Sequence, residues 1–279
     1  ANTVTLTVTD TNGNQSTCTA TITVQDNVAP IANCQNLTVV LDANGAGSIT
    51  AAQVNNNSSD ACGIASMTLS QTDFDCTDIG SNSVTLTVTD NNGNASTCNA
   101  AITVEDNMSP SAICQNLTVQ LDATGAASIT AAQVGSNSTD NCDITMTLNQ
   151  TDFDCDDVGA NTVTLTVTDD GGNPNTCTAT ITVEDNIDPT VVCQNLTVQL
   201  DASGAASITA GQVDNGSFDN CGIASMSLDQ TTFGCGDVGT NTVTLTVTDT
   251  NGNQNTCTAT ITVEDNINPT AICQNLTVQ

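Results

Sequence analysis

A 23-residue segment occurs four times in this chain, each time with a cysteine in its middle and acidic residues near both ends. The copies occupy residues 5–27, 85–107, 164–186 and 244–266. Successive copies are offset by 80, 79 and 80 residues. This period is longer than a solenoid repeat or a propeller blade. The repetition therefore predicts a tandem array of small domains of about 80 residues each.

Within each repeat, the hydrophobic pattern is typical of strands. In SVTLTVTD (83–90), Val and Leu alternate with Thr, which predicts a strand with an apolar inner face and threonines toward solvent. An Asn-Asn-Gly-Asn turn follows, and then a returning strand. CQNLTVQLDATGAASIT (114–130) predicts a second hairpin, and ITMTLNQTDFDC (144–155) predicts two more short strands. Only ITAAQV indicates a helical turn, so we expect an all-β, two-sheet sandwich of about seven strands.

Proline-containing linkers such as EDNMSP separate the repeats, because proline ends a strand and stiffens a short connection. We expect complete domains at 31–107 (repeat A), 111–186 (repeat B) and 190–266 (repeat C). Residues 1–27 are then the C-terminal part of a preceding repeat, and 270–279 the first strand of a following one. With strands of about eight residues at ~3.3 Å each, we expect each repeat to advance about 35–45 Å along an elongated rod.

The chain carries 30 acidic side chains and no lysine, arginine or histidine, for a net charge of −30. No salt bridge between side chains can form, and self-repulsion opposes compaction. Phosphate recognition and binding to anionic membranes both depend on basic residues, so nucleic acid is excluded as a partner. No apolar run reaches transmembrane length, so this segment is not expected to insert into a membrane.

Fourteen cysteines recur at fixed spacings, without a CxxC pair and without histidine. This pattern favours disulfides in an oxidising compartment, hence an extracellular or cell-surface protein. Free buried thiols or metal ligands are the alternative.

Four cysteines per repeat allow three pairings. The first and fourth open strands that run side by side in a sandwich, and the second and third flank a hairpin, which favours first-with-fourth and second-with-third. Cys18 and Cys273 then have partners outside the sequence. The pairs expected are Cys34–Cys98, Cys62–Cys76, Cys114–Cys177, Cys142–Cys155, Cys193–Cys257 and Cys221–Cys235.

The segment VGANTVTLTVTDDGGNPNTCTATITVED (158–185), with Asp-Asn-Cys upstream at 140–142, resembles the hyalin-repeat (HYR) domain. It is also similar to the PKD domain, although Thr or Val stands where that family often has Tyr. The resemblance covers the three complete repeats and both partial ones. It implies tandem immunoglobulin-like sandwiches on secreted and bacterial surface proteins, with an adhesive or spacing role and no catalysis.

The acidic turns are candidate metal sites. Asp90, Asn92 and Asn94 place oxygens at alternate positions, as at the start of an EF-hand loop, although the helices and the twelfth-position Glu are missing. In an immunoglobulin-like sandwich the last hairpin turn, the loop after the second strand and the chain entry lie at one end. The expected ligand sets are Asp26, Asn27, Asp60, Asp90, Asn92 and Asn94; Asp106, Asn107, Asp140, Asp169 and Asn173; and Asp185, Asn186, Asp219, Asp249, Asn251 and Asn253.

Oxygen-only ligands favour Ca²⁺ over transition metals, and Mg²⁺ fits less well because it prefers tighter octahedra. The alternative is that Asp, Asn and Gly merely form turns and keep the surface soluble. The missing basic residues favour the calcium interpretation, since unpaired carboxylates need cations.

These features predict a structural segment of an extracellular fibre or cell-surface adhesin stalk, cross-linked by disulfides and stiffened by calcium at domain junctions. Its partners are neighbouring repeats of the same chain and identical chains in a filament. The sequence begins and ends inside a repeat, which fits either a continuous array or strand donation to a neighbouring subunit. The alternative function is an adhesive module whose repeat loops bind a glycan or protein, with Phe218 as anchor. Catalysis is not expected, because nucleophile triads need His or Lys and each acidic motif recurs in every repeat.

Overall fold

The computed structural model of the protein describes residues 1–276 and shows an almost entirely β fold. The chain forms two compact units. The first contains residues 1–112, 138–146 and 166–175, and the second contains the remainder. Among the described residues, no helix is long and apolar enough to cross a membrane. Of the predicted strand at 270–279, residues 270–276 form no strand, and 277–279 lie outside the described residues.

The chain begins with a two-stranded antiparallel hairpin, β1 (Asn2–Thr9) and β2 (Gln15–Ile22). This hairpin matches the last two strands of each later repeat in sequence. All of its residues are exposed, including apolar Leu6, which is 61% exposed.

Repeat A contains six strands and one short helix. Two of the strands, β7 and β8, are the long hairpin predicted by the repeated segment, and each has 11 residues. A 3₁₀ turn at Cys76–Asp78 precedes β7. The elements are β3 (Leu37–Val40), β4 (Ala46–Ser48), α1 (Ala51–Val54), β5 (Ile64–Leu69), β6 (Asp73–Asp75), β7 (Gly80–Asp90) and β8 (Ala95–Glu105).

The strands of repeat A form two layers, as a sandwich requires. The larger sheet has the order β3-β8-β7-β5, and the smaller pairs β4 with β6. Strand β3 lies parallel to β8, with Leu37 opposite Ile102, so the first and last strands of the repeat run side by side as predicted.

The core lies between these layers and confirms the period-two pattern. Val84, Leu86 and Val88 on β7 are fully buried, while the threonines between them are half-buried rather than exposed to solvent. Phe74 of the smaller sheet packs into the same cluster with 3% of its surface exposed. Burying side chains of this size contributes about 1.5–3 kcal/mol each.

Repeats B and C contain the same succession of elements. β9 runs parallel to β14, and β15 runs parallel to β20, as β3 does to β8. In repeat B they are β9 (Leu117–Gln120), β10 (Ala127–Ser128), α2 (Ala131–Val134), β11 (Ile144–Leu148), β12 (Asp152–Phe153), β13 (Gly159–Asp169) and β14 (Pro174–Glu184). In repeat C they are β15 (Leu196–Gln199), β16 (Ala205–Ser207), α3 (Ala210–Val213), β17 (Ile223–Leu228), β18 (Thr232–Gly234), β19 (Gly239–Asp249) and β20 (Gln254–Glu264).

The first and fourth cysteines of every repeat are joined. Their Cα atoms are 5.8–5.9 Å apart, within the range that a disulfide requires. The pairs are Cys34–Cys98, Cys114–Cys177 and Cys193–Cys257, as the sequence predicted.

The predicted pairs between second and third cysteines are wrong. Cys62 precedes Ile64, which lies opposite Asp90 at the end of β7, whereas Cys76 precedes Gly80 at the start of β7. An 11-residue strand is about 35 Å long, so these two cysteines lie at opposite ends of the repeat. The structure instead joins Cys76 to Cys142 and Cys155 to Cys221, and it leaves Cys62 and Cys235 unpaired. The predicted pairs that are corrected are Cys62–Cys76, Cys142–Cys155 and Cys221–Cys235.

Candidate metal centres at the repeat junctions

The turn between the last two strands of each repeat is built around an aspartate. The Asp90 Oδ1 atom accepts hydrogen bonds from the backbone N–H groups of Asn92 and Asn94, both at 2.8 Å, and Gly93 supplies the positive φ of the turn. The backbone therefore donates toward the carboxylate. Asp90 is only 1% exposed, while Asn92 is exposed.

The last asparagine of this turn holds the incoming linker. The Asn94 side-chain amide donates to the carbonyl oxygens of Asp26 and Val28 and to Asp90 Oδ2. Asn173 and Asn253 make the equivalent contacts with the next two linkers. These asparagines fix the linker through their amide nitrogens, and their role as oxygen ligands stays a prediction.

Three groups of acidic or thiol side chains form where each linker meets the following repeat. In each group, one ligand atom per residue lies within 4.8 Å of the others. Two oxygens bound to one Ca²⁺ at about 2.4 Å are at most about 4.8 Å apart, so this spacing suits a single ion. The first cluster is Asp26, Asp60 and Cys62, the second is Asp106, Asp140 and Asp169, and the third is Asp185, Asp219 and Asp249.

The second and third clusters contain buried oxygens without a hydrogen-bond donor. In the second cluster these atoms are Asp106 Oδ2 and, beside it, Asn141 Oδ1. The Asn141 amide nitrogen is already engaged, donating to Asp42 O at 3.2 Å and to Asp106 Oδ1 at 3.3 Å. A buried oxygen without a partner is costly, so a cation is the natural partner for this set.

The third cluster repeats this arrangement. Its partnerless buried atoms are the Oδ2 atoms of Asp185 and Asp219 and the Oδ1 atom of Asn220. The Asn220 amide nitrogen donates to Asp122 O and to Asp185 Oδ1 at 3.3 and 3.2 Å. Asp185 and Asp249 are 5% and 1% exposed, so water has little access to them.

The first cluster differs from the other two. Ala61 occupies the position of Asn141 and Asn220, and Cys62 is not bonded. A hydrogen bond with Asp26, followed by repulsion from the Asp26 charge and by burial, raises the pKa of the Cys62 thiol. The thiol is thus held in its neutral form, which is a poorer ligand than a carboxylate.

Several predicted ligands lie away from the clusters. Asn27, Asn107 and Asn186 are exposed, and Asn107 and Asn186 donate to the side chains of strand-end residues such as Glu105 and Glu184. Asn92 and Asn251 are exposed on the turns. Asp90 is buried but is not grouped with Asp26 and Asp60. The structure brings together the aspartates of the second and third sets and adds Asn141 and Asn220, which the sequence interpretation missed.

A disulfide fastens the loop that carries two of these ligands. Cys142 directly follows Asp140 and Asn141 and is bonded to Cys76 of repeat A, with Cα atoms 5.6 Å apart. The Cys76 Sγ atom also lies 3.5 Å from the Asn141 carbonyl oxygen. In the next copy Cys155 and Cys221 are bonded in the same way beside Asn220. Each disulfide therefore holds the Asp-Asn-Cys loop against the acidic cluster.

Burial acts to raise the pKa of Asp90, but hydrogen bonds from the Asn94 side chain and from backbone N–H groups outweigh it, so the pKa lies below its ordinary value. A carboxyl group of this kind stabilises the fold above its unfolded-state pKa, near ~3.9, and loses that contribution as pH falls through the lower folded-state value.

We therefore expect Asp90→Asn to lower the Tm at neutral pH, with a difference that shrinks as pH falls below about 4. Thermal unfolding followed by circular dichroism between neutral and acidic pH measures this. Asp10→Asn, the same turn in the exposed first hairpin, is the matched control and should leave the main transition unchanged. A Tm difference that stays constant into strong acid would contradict the conclusion that the pKa of Asp90 is lowered in the folded state.

The family model of the HYR domain matches residues 184–263. This stretch is similar to the HYR domain. The matched stretch includes all three aspartates of the third cluster, Asn220 and the Cys193–Cys257 disulfide. The second cluster has the same composition as the one inside the HYR segment.

Solved structures of extracellular cadherin arrays resemble the chain at low identity, and no curated protein sequence matches it. One is protocadherin gamma B7 extracellular cadherin domains 1–4, with 14% identity, 91% of this chain and 80% of that chain covered, and a TM-score of 0.32. Mouse cadherin-23 EC22–24 has 15% identity, coverages of 85% and 99%, and a TM-score of 0.31. Drosophila N-cadherin EC1–4 has 13% identity, coverages of 66% and 57%, and a TM-score of 0.33.

Proposed function

We propose that this segment is a structural part of an extracellular fibre or cell-surface adhesin stalk, in which successive repeats are joined by a disulfide and by a calcium ion. The observation that carries the proposal is the set of buried, partnerless oxygens on Asp106 and Asn141, repeated on Asp185, Asp219 and Asn220. Each set lies where a linker meets the next Asp-Asn-Cys loop.

Charge supports a cation of high valence. Two like charges about 4 Å apart near a protein surface repel by about 4 kcal/mol. The second and third clusters each hold three carboxylates with ligand atoms within 4.8 Å of one another, and the first holds two carboxylates and a thiol. The sequence offers no basic side chain to offset this repulsion. Carboxylate and amide oxygens at this spacing suit Ca²⁺, with the remaining coordination positions filled by water or backbone carbonyls.

The disulfides support a mechanical role. Cys76–Cys142 and Cys155–Cys221 each connect one repeat to the next, beyond the peptide linker itself. Disulfides are typical of oxidising, extracellular surroundings. A covalent link and a cation at the same place both restrict motion between successive repeats.

The alternative adhesive function rests on Phe218. Its side chain is 62% exposed, and its backbone pairs with Thr190. One exposed ring supplies far less contact area than a binding site for a glycan or protein uses. The structural role is therefore the better supported of the two.

Equilibrium dialysis of the full, oxidised chain against calcium tests the cation sites. We expect two tight sites. Asn141→Ala, which gives the second cluster the residue that the first has at Ala61, should weaken one of them about tenfold or more. Asn220→Ala should weaken the other, while Asn251→Ala, on the exposed turn beside the third cluster, should change neither. The calcium assignment would be refuted if the chain bound calcium no better than a divalent cation that only screens charge. It would also be refuted if Asn141→Ala left the calcium affinity unchanged.

A further inference from the structure

One end of repeat C carries the same surface that repeats A and B use to hold an Asp-Asn-Cys loop. In repeat A the turn glycine Gly45 lies against the Asn141 backbone, where an added Cβ would come within 2.8 Å of the Asn141 carbonyl oxygen. In repeat B the corresponding distance from Gly125 to the Asn220 carbonyl oxygen is 3.0 Å. Only glycine lets the loop approach this closely.

In repeat C the equivalent glycine is Gly204, with nearly the same backbone conformation (φ +77°, against +71° for Gly45). An added Cβ there would meet only Cys235 Sγ within 4 Å among the described residues. Cys235 Sγ lies 3.8 Å from the Gly204 carbonyl oxygen, as Cys155 Sγ does from the Gly125 carbonyl oxygen. Repeat C therefore already has its own part of the loop-binding site, with Gly204 and Cys235 placed as Gly125 and Cys155 are in repeat B.

The aspartate at this site is buried where a loop covers it and exposed where no loop of the described chain is present. Asp106 and Asp185 are 3% and 5% exposed where a loop covers them, whereas their equivalent, Asp265, is exposed. An open cleft of about 540 Å³ lies at this place and is lined by Asp201, Gly204, Cys235 and Asp265, among others.

We propose that this cleft is a docking site for the Asp-Asn-Cys loop of a further repeat of the same type, and that docking places the loop cysteine for disulfide formation with Cys235. The asparagine amide would donate to the Asp201 carbonyl oxygen and the Asp265 carboxylate, as Asn220 does to Asp122 and Asp185. The proposal rests on this geometry and does not require a bound cation.

A peptide with the sequence of residues 137–146 (NSTDNCDITM) tests the docking, with its cysteine carried as a mixed disulfide to thionitrobenzoate. The Cys235 thiolate attacks the peptide sulfur, forming one S–S bond. The bond to thionitrobenzoate breaks, and that group leaves as a coloured thiolate with the electron pair, so no oxidant is needed. The rate of colour release therefore measures how well the peptide is placed beside the thiol.

The full chain is compared in two variants that each keep one unpaired cysteine. One retains Cys235 (Cys18→Ser, Cys62→Ser, Cys273→Ser), and the other retains exposed Cys273 (Cys18→Ser, Cys62→Ser, Cys235→Ser). Each rate is divided by the rate of the same variant with the small aromatic disulfide alone, which removes differences in thiol reactivity.

We expect the Cys235 variant to react about tenfold faster with the peptide than the Cys273 variant. Replacing the peptide asparagine that corresponds to Asn141 with leucine should abolish most of this advantage. Equal normalised rates would overturn the proposal. An advantage retained by the leucine peptide or by a scrambled peptide would overturn it too, because it would show an accessible thiol without loop recognition.

Discussion

Asp106→Asn is expected to raise the Tm of the oxidised chain in EGTA and to lower it in calcium. Without a cation, the substitution removes one of three clustered carboxylates and relieves repulsion. It keeps an oxygen for the hydrogen bonds from Met108 N and the Asn141 amide. With calcium, it removes a ligand, so the stabilisation contributed by binding is lost.

The size of the calcium effect follows from linkage. A ligand at one hundred times its Kd stabilises a protein by about 2.7 kcal/mol per site. For cooperative units of about 150 residues this corresponds to a rise in Tm of about 5–10 °C. Calorimetry of wild type and variant, in calcium and in EGTA at matched ionic strength, measures it.

Asn107→Ala is the matched control for this experiment. Asn107 is adjacent to Asp106 but is exposed and directed toward Glu105, so its removal should leave both Tm values unchanged. Asp185→Asn should reproduce the crossover at the third cluster. A wild-type Tm that responds to calcium no more than to sodium would show that the acids serve only solvation and turn formation.

Removing the disulfide between repeats A and B should cost about 4 kcal/mol. Cys76 and Cys142 are 66 residues apart, and closing a loop of that length restricts the unfolded chain by this amount in the chain-entropy treatment. The double variant Cys76→Ala, Cys142→Ala should also bind calcium more weakly at the second cluster, because Asp140 and Asn141 lose the link that positions their loop.

The third cluster supplies an internal comparison for the double variant. Its own disulfide, Cys155–Cys221, remains intact, so its calcium affinity should not change. Cys62→Ala and Cys235→Ala remove unpaired thiols of the same type and should alter the Tm little. A double variant as stable as these controls would argue against the Cys76–Cys142 bond.

The strands and the outer disulfides could be predicted because they follow from local pattern. Alternating Val, Leu and Thr specifies which face of β7 is buried, and the parallel alignment of β3 and β8 brings Cys34 close to Cys98. The second and third cysteines could not be assigned in this way. Every repeat contains both, so the sequence looks the same whether they pair within a repeat or between repeats. The length of β7 separates the second and third cysteines of a repeat and so excludes a bond between them. No sequence pattern shows this separation.

The metal site could be predicted only in part, because the sequence does not show which polar side chains the fold brings together. The turn pattern predicts alternate oxygen ligands in every repeat, yet among the acidic groups only Asp169 and Asp249 join a cluster and the equivalent Asp90 does not. All three aspartates accept hydrogen bonds from the backbone and the last asparagine of their turn, so these bonds do not decide which of them is a ligand. Asn141 was overlooked because Asp-Asn is also a common turn sequence. The contrast between Asp-Asn-Cys at 140–142 and Asp-Ala-Cys at 60–62 was the available signal.

The pairing of the disulfides has a consequence for the whole chain. The loops closed at 34–98, 76–142, 114–177, 155–221 and 193–257 overlap in succession. A single cut of the backbone anywhere between residues 34 and 257 therefore leaves the two pieces covalently joined. With pairing inside each repeat, a single cut in a linker would separate the chain into two pieces.

Digestion with a glutamate-specific protease tests this account most directly. The three glutamates of the chain each end the last strand of a repeat, at Glu105, Glu184 and Glu264. The digest is performed in urea after the unpaired thiols have been alkylated, and it is then resolved with and without reductant. We predict that residues 1–264 migrate as one species until reduction releases 1–105, 106–184 and 185–264. Three separate fragments before reduction would contradict the covalent joining of successive repeats.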